Sequence, residues 1–149
     1  MKTIPEIGET HTLTHAVTRR LTVPELLPDS ALLAAMPAVL ATPNMIALME
    51  LACTELLARH CDEGEGSLGA HVDVSHLAAT LAGQTVTVTA TVEKVEGRKM
   101  TFVVEAHDGI DPIGKGRHVR MVVPWARFKQ AVDAKAEKAG VEGLEGATG

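Results

Sequence analysis

Two hydropathic regimes divide the chain. From residue 44 to about 60 there is neither Gly nor Pro, and Met45-Ile46-Ala47-Leu48-Met49-Glu50-Leu51-Ala52-Cys53 holds a single polar residue in nine. Thr42-Pro43 ahead of it reads as a capping residue followed by proline at the first helical position, and Gly64 and Gly66 close the run. The pattern predicts one helix of about 17 residues, about 25 Å long. A helix this apolar around its circumference belongs in an interior, wrapped by a sheet or by a partner.

The second regime has period two. Over 84–95, Thr85, Thr87, Thr89 and Thr91 alternate with Val86, Val88, Ala90 and Val92, a strand with one apolar face. Runs at 67–77, 98–107 and 113–125 read as further strands. Glu96-Gly97 and Asp108-Gly109 mark turns between them. Residues 10–18 alternate more loosely and suggest an edge strand. Pro24, Pro28, Pro37 and Pro43 leave room for only a short helix between 28 and 37. Residues 126–138 form an amphipathic pattern, and Gly-rich 140–149 reads as a flexible tail after a single domain at 1–139. Helix and strands do not alternate, so the expected class is α+β, and the tight turns predict an antiparallel meander.

Composition narrows the function. The chain has 149 residues, 46% hydrophobic and 22% charged, with fourteen Lys+Arg against nineteen Asp+Glu. A net charge of −5 argues against binding nucleic acid through bulk charge. Phe102, Trp125 and Phe128 are the only aromatic residues, too few for a base-stacking platform. No apolar run reaches about 18 residues, and the first residues do not read as a secretion signal. A cytoplasmic enzyme or ligand-binding domain is expected. Cys53 and Cys61, about 12 Å apart on one helix, cannot bridge and read as buried thiols. No His/Cys spacing suits zinc, so no metal is expected.

Candidate chemistry starts at Glu50, alone among apolar neighbours in mid-helix. A buried carboxylate there needs a partner, or acts as a base, nucleophile or water-orienting group. Thr54 lies one turn on along the same face. Thr42 caps the helix, and the helix start also offers free N–H groups that can stabilise an oxyanion. Strand parity puts Ala70, Val72, Val74 and His76 on one face and His71, Asp73 and Ser75 on the other, so His76 is a core histidine or a general base facing the helix. His71, His107 and His118 read as solvated or edge residues. Arg98, Lys99, Lys115, Arg117 and Arg120 outnumber Glu105, Asp108 and Asp111 in segment 98–120, a basic patch or ordinary polar strand faces.

Four stretches now resemble one family: TPNMIALMELAC, with Thr42 and Glu50; EGEGSLGAHVDVSHLAAT, with Gly69 and His76; TVTVTATVEKVEGRK; and AHDGIDPIGKGRHVR. Their order and spacing resemble the fluoroacetyl-CoA thioesterase family over roughly residues 8–130. The resemblance implies a hot-dog fold, an antiparallel sheet wrapped around a long helix. It implies hydrolysis of a short-chain acyl-CoA thioester to free acid and CoA, with no cofactor beyond the CoA substrate. It implies a catalytic set of Thr42, Glu50 and His76, with Gly69 near the acyl group and Arg120 in the site. The family's phenylalanines in a lid before the helix look replaced by Leu33 and Met36, substrate-binding positions whose change points to another short acyl group.

The helix itself adds a constraint. Thr42 and Glu50 are about 12 Å apart along it and about 80° around it, so they cannot meet within one protomer unless the helix start bends. A homodimer with interfacial active sites follows, Thr42 of one chain approaching Glu50 of the other. The alternative from another class is an acyl-CoA-binding hot-dog module without turnover. An enoyl-CoA hydratase usually presents Asp and His at the helix start, where this chain has Thr42-Pro43-Asn44.

Overall fold

The apolar run after Ala41 forms one helix, and a sheet wraps it. In the computed structural model, which describes residues 1–144, the elements are β1 (Thr10–Ala16), α1 (Ala31–Ala34), α2 (Thr42–Ala58), β2 (Glu65–His76), β3 (Thr85–Glu96), β4 (Lys99–His107), β5 (Pro112–Pro124) and α3 (Trp125–Ala139). Met45, Leu48, Met49, Ala52, Cys53, Leu56 and Leu57 are the buried face of α2. They meet the inward rows of the strands, among them Val88, Val92, Phe102 and Val104. Each fully buried side chain of this size contributes about 1.5–3 kcal/mol.

The sheet covers α2 on one side only. Thr42, Pro43, Ala47, Leu51 and Ala58 are exposed, the last four spaced by four or seven residues along one stripe, with the Glu50 side chain beside them at 40% exposure. The interior position expected for Glu50 is therefore not its position here. An apolar helix can keep one face open because the sheet is a single layer.

All five strands pair antiparallel in the order β1-β3-β4-β5-β2. β3, β4 and β5 make the expected hairpins, but β2 does not precede β3 in a four-stranded meander. It joins β5 at the far edge, and β1 takes the place beside β3. The turns after β3 and β4 are tight, at Gly97 (φ 64°) and Gly109 (φ 92°), as hairpins require. Segment 77–84 is longer and is held elsewhere, the Leu40 N–H donating to the Thr80 carbonyl at 2.8 Å. It therefore carries the chain across the sheet.

β2 has a bulge between Gly69, opposite Arg120, and His71, opposite Val119. One extra residue, Ala70, breaks the parity expected for it and is exposed. Gly69 faces Glu50, while Val74 packs on the core and His76 reaches Thr42. An odd separation would put Gly69 and His76 on opposite faces of a regular strand; the bulge puts both on the helix side. Beyond β5, α3 ends at Gly140 in the left-handed region (φ 67°). The Leu144 N–H then donates to Asp133 Oδ1 at 3.1 Å. The rest of the expected tail, 145–149, lies outside the described residues.

Candidate active site

The site has two parts along the open stripe of α2. At the helix start the N-cap is Ala41 (φ −73°, ψ 141°), and no side chain caps the helix. Thr42 is thus the first helical residue, not the cap. Ala41 is held extended by its N–H bond to the Leu21 carbonyl at 2.9 Å, and its own carbonyl accepts from the Asn44 and Met45 N–H groups at 3.0 Å each. The Thr42 hydroxyl is left to lie 2.8 Å from His76 Nδ1. Pro43 has no N–H, so Thr42's own N–H is the first-turn donor left for a ligand oxygen. A cavity of about 360 Å³ opens here, lined by Thr42, His76, Val39 and Leu77 among others. His76 Nε2 is buried and has no hydrogen-bond partner among the described residues.

Two turns further along α2, Glu50 meets a packed cluster. Its Oε1 lies 3.4 Å from His118 Nε2 and 3.8 Å from Arg120 Nη1. Arg120 is buried, its Nε donating to Ser67 Oγ at 2.9 Å and its Nη2 to the Ser67 carbonyl at 2.7 Å. Gly69 completes the wall. A Cβ there would run into the Glu50 carboxylate and stand 3.2 Å from His118 Cε1, so glycine is what lets the carboxylate lie against the strand. Burial pulls Arg120 below the usual arginine range, while the Glu50 charge pulls it back up. A guanidinium desolvated beside a carboxylate is a strong local electrostatic partner.

His118 was missed as a solvated residue, yet it is 1% exposed. Its Nδ1 donates to the His71 carbonyl at 2.9 Å. Burial, first, and the Arg120 charge hold it below the ordinary imidazole range, while the bond to His71 and the Glu50 charge oppose that. A signal was available: residues 118 and 120 of one strand share a face, so a site containing Arg120 also contains His118. His107 is exposed, its Nδ1 accepting from the Gly109 N–H at 2.8 Å, and His71 keeps its side chain in solvent.

Four of the five cations of the basic patch are paired or buried, and Lys115 is left exposed without a carboxylate partner among the described residues. Arg117 pairs with Glu93 through two bonds of 2.8 Å, Arg98 with Glu65 at 2.6 Å and Lys99 with Glu96 at 4.0 Å, and Arg120 is inside. The neutralising carboxylates come from outside segment 98–120, which counting charge within the segment could not show. Both cysteines are free and buried, and burial pushes the Cys53 thiol up to about 12, far from a thiolate nucleophile. Leu33 is half-buried within α1, and Met36, just after that helix, is 47% exposed. Among the described residues no group of three or more His, Cys, Asp or Glu is arranged to hold a metal ion. No helix among the described residues is long and apolar enough to cross a membrane.

A long helix lying in one curved antiparallel sheet, with polar groups along its open side, is a hot-dog fold, and related structures of that fold are thioesterases. A Thermus thermophilus protein, a thioesterase superfamily member, superposes with a TM-score of 0.83 at 32% identity, over 95% of this chain and 100% of that one. The fluoroacetyl-CoA thioesterase FlK superposes with a TM-score of 0.87 at 44% identity, over 89% of this chain and 98% of that one. A point mutant of it has been solved with fluoroacetate and CoA (TM-score 0.81, 45% identity, 83% and 99% coverage). The fluoroacetyl-CoA thioesterase of Streptantibioticus cattleyicolor is 44% identical over 91% of this chain and 97% of its own length. The family model described as fluoroacetyl-CoA-specific thioesterase matches residues 17–126. The chain belongs to that family and is a thioester hydrolase of the acyl-CoA class.

Proposed function

We propose that this protein hydrolyses short-chain acyl-CoA thioesters at two equivalent sites, each built from both protomers of a homodimer, with residues 1–139 as a single catalytic domain. The observation that carries the reading is the division of the site. A Thr42–His76 pair bonded at 2.8 Å stands at the helix start, and a Glu50 carboxylate lies against Arg120 and His118 two turns on. Both open onto one exposed stripe. In an antiparallel pair of α2 helices, residues whose numbers have a constant sum lie level. A two-fold axis near Ile46 and Ala47 therefore sets Thr42 of one protomer level with Glu50 of its partner. The exposed Thr42 then faces the partner's part of the site. β2, twelve residues long at the sheet edge, offers backbone groups for the partner's β2 to pair with.

The chemistry follows. Glu50, reached by solvent, takes a proton from a water that attacks the thioester carbonyl. The Thr42 hydroxyl and N–H stabilise the oxyanion. His76 gives a proton to the departing CoA sulfur, and the products are the free acid and CoA. Gly69 lets the acyl group and the carboxylate approach each other. Leu33 and Met36, flexible aliphatic side chains, border the acyl end and admit several small acyl groups, fluoroacetyl among them. A buried Glu50 out of reach of water would favour a non-catalytic binding module, and its side chain is 40% exposed. Two unpaired cysteines suit a reducing cytoplasm.

Free-thiol release from acetyl-, fluoroacetyl-, propionyl- and a longer-chain acyl-CoA tests this. Turnover on several short substrates, lost in Glu50→Gln and in His76→Ala, is the expected result. Binding without turnover on every substrate would sink it.

A further inference from the structure

His118 is 1% exposed beside the site, and the reaction as derived gives it no task. Its two nitrogens face opposite kinds of group. Nδ1 lies 2.9 Å from the backbone carbonyl of His71, which can only accept. Nε2 lies 3.1 Å from Arg120 Nη1, which can only donate, and 3.4 Å from Glu50 Oε1, with which it is not aligned for a hydrogen bond. One state satisfies both contacts: a neutral imidazole with its proton on Nδ1 and a lone pair on Nε2. The carbonyl that selects this tautomer belongs to the β2 bulge.

The consequence falls on Arg120. With Nε and Nη2 donating to Ser67 and one Nη1–H to His118, each nitrogen of the guanidinium is anchored once, which fixes the plane and position of the group. Glu50 Oε1 stays 3.8 Å from Nη1, inside the field of the charge but outside a hydrogen bond. A direct bond would make the carboxylate a weaker base. The groups facing His118 are Glu50 from α2, Arg120 from its own strand and His71 from β2.

We infer that His118 is a positioning residue: as a neutral acceptor it holds Arg120 Nη1 away from Glu50 and so keeps the carboxylate basic enough for the hydrolysis. This rests on the reading of Glu50 as the base. Two substitutions separate the halves of the imidazole. His118→Gln keeps an acceptor near the Nε2 position, whereas His118→Asn keeps a donor near Nδ1 and loses that acceptor.

In the dimeric enzyme, His118→Asn is expected to lower kcat about tenfold with little change in KM, and to move the acid limb of the kcat–pH profile down by about one unit, because Nη1 closes on Glu50. His118→Gln is expected to keep kcat within about threefold of wild type, with the limb unmoved. Equal losses in both variants with an unmoved acid limb would leave His118 a packing residue and overturn the inference. Glu50→Gln runs beside them; if it turns over normally, the reading of Glu50 itself fails, whatever the His118 variants do. Should His118→Asn not fold, nitrogen-15 NMR of the wild-type ring decides. A neutral Nδ1–H tautomer at neutral pH is expected, and an imidazolium or an Nε2–H tautomer overturns the inference.

Discussion

The two parts of the site are built differently although they stand on one helix. Around Glu50 the chain supplies its own support: Arg120 and His118 are buried, Ser67 and the His71 carbonyl hold them, and the charges balance. Around Thr42 and His76 there is one side-chain hydrogen bond, an open cavity and a buried nitrogen with no partner among the described residues. The first part is preorganised by the fold of one chain, and the second is the part a second chain can complete. Preorganised charge gives electrostatic catalysis its strength because nothing need reorient as the reaction proceeds.

The sharpest way to break this comparison is to damage one part on each protomer. Thr42→Ala and Glu50→Gln homodimers should each lose about 10²–10⁴-fold in kcat. A mixed dimer of one chain of each kind has one intact combined site if Thr42 works with Glu50 of its partner, and should recover about half the wild-type turnover. Within-chain sites would leave the mixed dimer as inactive as its parents.

Next in size is Ala47→Glu, on the exposed stripe near the proposed two-fold axis. It sets two carboxylates against each other across the helix pair. Light scattering should show monomers, and turnover should fall by at least about tenfold, while the melting temperature of the monomer fold hardly moves because Ala47 is not in the core. A fully active monomer would refute the interfacial site.

Gly69→Ala tests the packed part alone. The added methyl displaces the end of the Glu50 side chain, not backbone. Activity should drop about tenfold, with a stability cost below about 1 kcal/mol. Unchanged thiol release would show that the carboxylate does not need its place against β2.

The smallest effect is on stability. Burial holds His118 in the folded protein below the ordinary value of 6.5. As pH falls through 6.5 the unfolded chain takes up the proton first, so folding loses stability on acidification until the folded state also protonates. The melting temperature should fall as pH drops below that value, and His118→Gln should remove this component. A slope that survives the substitution would assign it to other groups.

The elements themselves were legible because their signals are local. The Thr/Val alternation of β3 and the run from Met45 to Cys53 each reveal a period within a few residues of chain. Glu50, Thr42 and His76 were legible as candidates for the same reason, and the short motifs around them carried the family resemblance. What neither periodicity nor motif contained is who stands opposite whom. β2 lies at the edge beside β5 because segment 77–84 is anchored at Leu40. The Ala70 bulge turns Gly69 and His76 to one side. Arg98, Lys99 and Arg117 lose their apparent surplus to carboxylates from other parts of the chain. His118, taken for a solvated side chain, is buried because β5 is flanked on both sides and α2 covers its inner face. Which residues could form helix and strand is written locally, since backbone propensity and side-chain period act over a few neighbours. Tertiary structure alone decided burial and charge pairing at the site, because desolvation and Coulomb interaction depend on distance in space and not on separation along the chain.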